Sequence, residues 1–189
     1  RHNAKNALAA AACALGAGVP LEAIARGLAA FEPVKGRSRA LALHLPANPA
    51  RVLTLVDDSY NANPDSVRAA IDVLAQSATP RLLVLGDMGE VGNQGEAFHT
   101  EAGEYAQQLH IEHVLTLGEL SLHTSAACHN AVHCHSMDEL VKRVHALLPT
   151  LATVLVKGSR FMRMERVVQA LQNLDQPQSA VSAKEASCC

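Results

Sequence analysis

The sequence predicts an α/β protein, with a mostly parallel sheet and helices on both of its faces. Three observations carry this. From about residue 50, short apolar runs alternate with stretches whose apolar residues recur at helical spacing, and repeated βα units of that length imply parallel strands. Apolar residues make up 49% of the chain but aromatic ones only 3%, with no Trp, so the core must be Ala, Leu and Val, which suits helices on a sheet. Polar loops follow the apolar runs, at the carboxyl strand ends where open α/β sheets bind ligands.

The elements follow in order. Residues from about Asn3 to Leu15 are alanine-rich and helical by propensity, and Gly16 and Gly18 stop the helix. Pro20 opens a second helix through Leu21, Ile24, Leu28 and Phe31, and the segment Glu32 to Ser38 breaks it. Ala40 to Leu45 reads as an edge strand, and Pro46, Asn48 and Pro49 as a hairpin turn into a buried strand over Val52 to Val56. Asn63 is a good N-cap and Pro64 a good first residue for a helix over Asp65 to Leu74, which places Val67, Ala70, Ile71 and Leu74 on one face. Strand Leu82 to Leu85, helix Glu96 to Gln108, strand Val114 to Leu117, a short helix near Leu120 to Ala127 and a weak strand at Ala131 to Cys134 come next. Ser136 with Glu139 three residues on predicts a capping box, on a helix burying Leu140, Val141, Val144, Leu147 and Leu148. A strand over Thr153 to Val156 leads to a last helix with Met164, Val167, Val168 and Leu171 on one face. From Gln176 the composition predicts a disordered tail. The boundary between the opening helices and the alternating region falls near residues 34 to 40.

Composition excludes several classes. The formal net charge is -2 with no basic block, and aromatic residues are scarce, so no nucleic-acid partner is expected. No apolar run reaches the roughly 20 residues of a membrane span. The polar start carries no signal peptide, and Arg1 is no natural start, so part of a longer protein is expected. Five cysteines form no disulfide framework, which points to the cytoplasm.

Three loops hold the polar chemistry. Asp57-Asp58-Ser59-Tyr60-Asn61-Ala62-Asn63 has more hydrogen-bonding groups than a connection needs, although a turn and a cap use the same residues. Gly86-Asp87-Met88-Gly89-Glu90 and the glycines after it match neither the dinucleotide fingerprint nor a Walker A loop; they suit a phosphate or a plain turn. Lys157-Gly158-Ser159-Arg160 precedes the last helix and reads either as an anion site or as a solvated turn with Ser159 as cap. His99 either points into the cleft or is an exposed helix residue. His2, Asn3 and Asn6 either meet an adenine edge or cap the first helix. Cys128, His129, His133, Cys134 and His135 match no structural zinc spacing, so a surface turn and strand edge are expected and no metal site. Cys188-Cys189 reads as a chain end or free tail rather than a lipidation signal.

Together these pieces resemble the Mur ligase family. The resemblance runs from residue 1 to about 174. It rests on His2-Asn3-x-x-Asn6-Ala7-Leu8, Pro33-Val34-Lys35-Gly36-Arg37, Asp57-Asp58-Ser59-Tyr60-Asn61-Ala62-Asn63-Pro64, Gly86-Asp87-Met88-Gly89-Glu90 and Val156-Lys157-Gly158-Ser159-Arg160, five motifs in the family's order. It implies that residues 1–38 end a central ATPase domain, that 39–175 form a Rossmann-like C-terminal domain, and that 176–189 are a tail. The chain departs from the family in lacking Gly-x-x-x-x-Gly-Lys-Ser/Thr. The phosphate cradle, the principal Mg2+ ligands and the UDP-sugar site are therefore expected upstream, and the fragment alone is expected to be inactive.

The family reaction implies roles. ATP phosphorylates the carboxylate of a UDP-MurNAc-peptide, and an amine then attacks the acyl phosphate. The Tyr-Asn-Ala-Asn-Pro form and the Gly-Asp-Met loop point to UDP-MurNAc-tripeptide as donor and D-Ala-D-Ala as acceptor. By resemblance Asn6 contacts adenine with Asn3 nearby, Arg37 reaches the ATP phosphates and Asp58 holds the ribose. Tyr60, Asn61 and Asn63 line the nucleotide side or the dipeptide site. Lys157, Ser159 and Arg160 face the acceptor, and Asp87 and His99 lie between. A cytoplasmic bacterial monomer is expected. The competing reading is a free-standing, non-catalytic module binding a nucleotide or small ligand; an NAD-linked oxidoreductase is weakened because no Gly-x-Gly-x-x-Gly follows a strand.

Overall fold

The computed structural model describes residues 2–31, 34–46 and 48–175; the side chains of His2, Asn3, Pro49 and Asp175 are outside that description. The expected tail, Cys188-Cys189 and the breaker residues Glu32 and Pro33 also lie outside it. The chain forms two compact units, divided between Val34 and Lys35.

The first unit holds α1 (His2–Gly16) and α2 (Leu21–Ala29). Gly18, at φ +79, takes the left-handed conformation that ends α1. Its N–H bonds the Leu15 carbonyl, and that of Val19 bonds the Ala14 carbonyl, both at 2.9 Å. Pro20 occupies the N-cap position of α2, while Phe31, expected within that helix, lies beyond its end.

The second unit is a six-stranded sheet. Its elements are β1 (Arg39–Leu45), β2 (Asn48–Asp58), α3 (Pro64–Ala75), β3 (Arg81–Gly86), α4 (Gly95–Gln108), β4 (His113–Leu117), α5 (Ser121–Ala126), β5 (Ala131–Cys134), α6 (Met137–Leu147), β6 (Thr153–Lys157) and α7 (Glu165–Asp175). The strand order is β1-β2-β6-β3-β4-β5. Only β1 runs antiparallel, pairing with β2 as a hairpin at one edge. The connections through α3 and α4 step one way across the sheet, and the one through α6 steps back. Crossovers keep one hand, so reversing direction puts helices on the other face. Val67, Ile71 and Leu74 of α3 and Ala102 and Ala106 of α4 pack on one face. Leu140 and Val144 of α6 and Val167, Val168 and Leu171 of α7 pack on the other.

Three boundaries differ from expectation. β2 begins at Asn48, so Asn48 and Pro49 belong to the strand and not to a turn; the pairing slips between His44 and Leu45, which absorbs the irregular residues. The capping box of α6 is half formed. Ser136 accepts the Glu139 N–H, but the Glu139 carboxylate takes the N–H of His135 and not that of Ser136. α7 starts at Glu165, after a 3-10 turn at Arg160–Met162 and a left-handed Arg163.

Two contacts fix the opposite end of the sheet and one helix pair. Arg81 is buried at the start of β3, and its guanidinium donates to Glu112 and to the carbonyls of Ala75 and His110. Burial alone would raise the Glu112 carboxyl, but the bonds and charge from Arg81 hold it below the usual range. In α4, a Cβ on Gly103 would lie 2.3 Å from the Thr124 carbonyl, so α5 crosses at a distance that only glycine permits.

Candidate functional site

Register decides where the loops go. Asp58 pairs with Lys157 across β2 and β6, and Leu85 pairs with Lys157 across β3 and β6. The carboxyl ends of three adjacent parallel strands are therefore level, and the loops after them share one rim. The loops are also stitched together: the Ser159 N–H donates to the Asp87 carbonyl at 2.8 Å, and the Gly89 N–H to the Ala62 carbonyl at 2.7 Å. Asp58, Gly86 and Arg160 thus stand at the carboxyl end of the sheet, on its inner strands and the loops after them.

In the loop after β2 the two aspartates do different work. Asp57 is buried; it accepts the Gly36 N–H at 3.1 Å, the Ser59 N–H at 3.2 Å and the Ser59 hydroxyl at 2.6 Å. Gly36, at φ +78, sits where a Cβ would meet the Tyr60 nitrogen at 2.9 Å, so residues 35–38 and the loop close on one another only through glycine. Asp58 accepts the Ser38 N–H at 2.8 Å, the Ser38 hydroxyl at 3.0 Å and the Lys157 ammonium at 2.6 Å. Asn63 caps α3, as the sequence predicts, and with Ser66 it forms a full capping box that the sequence reading did not include.

Lys157 is no open cation. It is 2% exposed, and its ammonium bonds the Asn61 carbonyl at 2.8 Å as well as Asp58. Nor does Lys157-Gly158-Ser159-Arg160 stand at the N-terminus of α7; Ser159 precedes only the three-residue 3-10 turn and makes no side-chain cap bond. The Ser159 hydroxyl is buried without a hydrogen-bond partner. Arg160 is exposed and stacks on Tyr60 at 4.9 Å, while Arg37 stacks on the same ring at 4.4 Å. Two guanidinium groups from distant segments are thereby held over one rim residue.

The loop after β3 departs most from expectation. Asp87 is buried and turned toward β4; it accepts the Ser121 N–H at 2.7 Å and the Ser121 hydroxyl at 2.5 Å. It secures the start of α5 and does not open on the cleft. His99 is neither cleft-facing nor exposed. Its ring is fully buried, its Nδ1 donates to the Gly95 carbonyl at 2.7 Å and its Nε2 accepts the Met88 N–H at 3.0 Å. Burial pushes its pKa below the ordinary value, which suits this neutral tautomer. A sequence signal existed: His99 shares a helix face with Gly95, Ala102, Gly103 and Ala106, all buried.

Glu90 carries no role in the sequence reading. It is exposed, with φ +61, and its carboxylate accepts from the Asn61 amide at 3.3 Å and the Asn63 amide at 3.4 Å. Both asparagines therefore tie the first loop to the second.

Elsewhere, Cys128 and Cys134 are buried in the core, not on a surface turn, and burial pushes both thiols up. β5 is an edge strand, and His133 on it bonds the Thr116 hydroxyl at 2.9 Å. Among the described residues no group of three or more His, Cys, Asp or Glu side chains is arranged to hold a metal ion. No described helix is long and apolar enough to cross a membrane. Asn6 is exposed on α1 in the first unit.

The profile of the Mur ligase, glutamate ligase domain matches residues 46–160. The UDP-N-acetylmuramoyl-tripeptide--D-alanyl-D-alanine ligase of Escherichia coli is 43% identical over 174 residues, covering 91% of this chain and 37% of that protein. The ligase of the same name from Haemophilus influenzae is 37% identical over 181 residues, again with 91% and 37% covered. Among solved structures, MurF from Acinetobacter baumannii superposes with a TM-score of 0.80 at 32% identity, covering 91% of this chain and 37% of that one. The chain thus spans little more than a third of the length of these relatives. With its level rim of three loops and the family profile over most of its second unit, the chain belongs to the Mur ligase family.

Proposed function

We propose that this chain is the C-terminal part of an ATP-dependent ligase that joins D-Ala-D-Ala to UDP-MurNAc-tripeptide through an acyl phosphate, a step in making peptidoglycan precursor. The observation that carries the reading is the single rim on which Asp58, Tyr60, Asn61, Asn63, Ser159 and Arg160 stand, with Arg37 folded onto it. The named relatives support the donor and acceptor.

Each residue then has a task. Asp58 accepts from ATP ribose. Three donors already fill three of the roughly four lone-pair directions of its carboxylate, so it has room for one hydroxyl rather than two. Lys157 holds Asp58 in place and does not itself grip the acceptor. Arg37 meets the ATP phosphates after leaving Tyr60, and Asn6, with Asn3, meets adenine. Arg160 takes the dipeptide carboxylate in bidentate fashion, with the Ser159 hydroxyl as a second donor. Asp87 and His99 act behind the rim by holding the β3 loop. Mg2+ would be held by residues outside this chain, where it would screen the charge of the ATP phosphates. Bringing the acceptor on one domain and the acyl donor on others lets closure exclude water from a hydrolysable intermediate. The complete protein acts as a monomer in the bacterial cytoplasm, and this chain alone is inactive.

The test is product formation by the complete protein from UDP-MurNAc-tripeptide, ATP and D-Ala-D-Ala. Asp58→Ala is expected to raise the KM for ATP, and Arg160→Ala to harm use of the dipeptide more than use of ATP. Equal losses for both substrates in both variants would remove the assignment; no product from the wild type would remove the reading itself.

A further inference from the structure

We propose that Glu90 forms the subsite for the ammonium of the incoming acceptor, an assignment that rests on the dipeptide-ligase reading above. Four carboxylates stand at the end of β2 or within the three loops themselves, leaving aside the exposed Asp65, Glu96 and Glu165 in the first turns of the helices that follow. Asp57 and Asp87 are buried and satisfied by N–H and hydroxyl donors, and Asp58 is paired with Lys157. Glu90 alone of the four is exposed. Its two described partners, the Asn61 and Asn63 amides, are neutral, so they orient the carboxylate without cancelling its charge. Among the described residues it has no ion-pair partner.

Its position gives that charge a use. A left-handed backbone at a non-glycine residue costs on the order of 1–2 kcal/mol, so this placement must be imposed by its surroundings. Gly89, next to it, faces the β6 loop, where a Cβ would make an ordinary contact with the Ser159 Cβ at 3.6 Å. Glu90 and Arg160 each follow one residue of this contact, and they engage neighbouring residues of the β2 loop, Asn61 and Tyr60. Ser159 itself is 1% exposed, and its buried hydroxyl has no hydrogen-bond partner. An exposed anion and an exposed cation, both held on the β2 loop, fit a short zwitterion. A dipeptide has its ammonium and carboxylate about 7 Å apart when extended. Arg160 receives the carboxylate and Glu90 the ammonium, so the acceptor is oriented before the domains close, and the carboxylate of Glu90 is placed to take the proton the nitrogen must lose before it attacks.

Steady-state kinetics of the complete ligase test this. In Glu90→Gln the KM for D-Ala-D-Ala should rise about ten- to a hundredfold, the loss of one charge-assisted contact. The KM values for ATP and UDP-MurNAc-tripeptide should not move, and Glu90→Asp should recover part of the loss. N-acetyl-D-Ala-D-Ala, which lacks the ammonium, should inhibit wild type and Glu90→Gln equally. A parallel weakening of that inhibitor would mean Glu90 only clamps the two asparagines, and would overturn the subsite. So would an unchanged dipeptide KM. A wild-type protein that makes no product from D-Ala-D-Ala would remove the ligase reading and this subsite with it, whereas product formation with an unaltered Glu90→Gln removes the subsite alone.

Discussion

Replacing Lys157 by Met examines the rim where it is most tightly built. Met keeps the length of the side chain and removes the ammonium. That leaves the Asp58 carboxylate without its cation and the Asn61 carbonyl without its donor. The Lys157 side chain is 3% exposed and that of Asp58 14%, so the pair is nearly dry. Breaking a fully buried pair costs about 3–5 kcal/mol, but Asp58 keeps both Ser38 bonds and some solvent, so we expect about 2–4 kcal/mol. For a chain of this size that lowers Tm by roughly 5–15 °C. Both tyrosines, Tyr60 and Tyr105, lie in the second unit, and there is no Trp, so tyrosine fluorescence during urea unfolding reports that unit alone. Asp58→Asn on its own strands the lysine. The double variant strands no charge and should be more stable than the two single losses imply, with a coupling of about 1–3 kcal/mol. A Lys157→Met protein within about 0.5 kcal/mol of wild type, or a coupling of zero, would show that the pair does not brace the rim.

Three further outcomes follow from contacts away from the ligand side. His99 has a lowered pKa in the folded chain, so the unfolded chain takes its proton more readily; stability is full above its ordinary value of 6.5 and falls as pH drops below it. The slope is at most about 1.4 kcal/mol per pH unit, and His99→Gln should flatten it in urea midpoints measured against pH; equal slopes would place the acid sensitivity elsewhere. Gly103→Ala, which usually strengthens a helix by about 1 kcal/mol, should here lose about 1–3 kcal/mol because the new methyl meets the Thr124 carbonyl; a raised Tm would refute that close approach. Arg81→Ala should cost about 2–4 kcal/mol in the same unfolding assay, with Arg81→Lys between it and wild type; a lysine variant equal to wild type would deny the forked geometry its part.

Local signals in the chain were sound guides. The Asn63-Pro64-Asp65-Ser66 start of α3 is read correctly because a cap and its helix are neighbours in sequence. The apolar faces of α3, α6 and α7 follow from spacing alone. What escaped depends on partners far along the chain. Lys157 reads as a cation for ligand because nothing nearby reveals that Asp58, 99 residues earlier, has claimed it. Asp87 looks like a loop ligand until β4 brings Ser121 beneath it. His99 is misread because the face it shares is made of Gly and Ala, too small to register as an apolar stripe. The Tyr60 stack and the Glu90 clamp join segments about 20 to 100 residues apart, which no periodicity encodes. The start of β2 was missed because Asn and Pro are turn residues by habit, and only pairing with β1 draws them into a strand.

The order of strands also has a consequence for how the molecule is made. β6 lies between β2 and β3, yet it is the last strand to leave the ribosome. Until then the nascent sheet exists as two pieces, a hairpin and a three-stranded ribbon, each with a bare edge at Thr54–Asp58 or Arg81–Leu85. Such edges invite pairing with other chains, and the long sequence separation makes closure slow. A premature stop before Thr153 would therefore yield sticky halves rather than a smaller working domain.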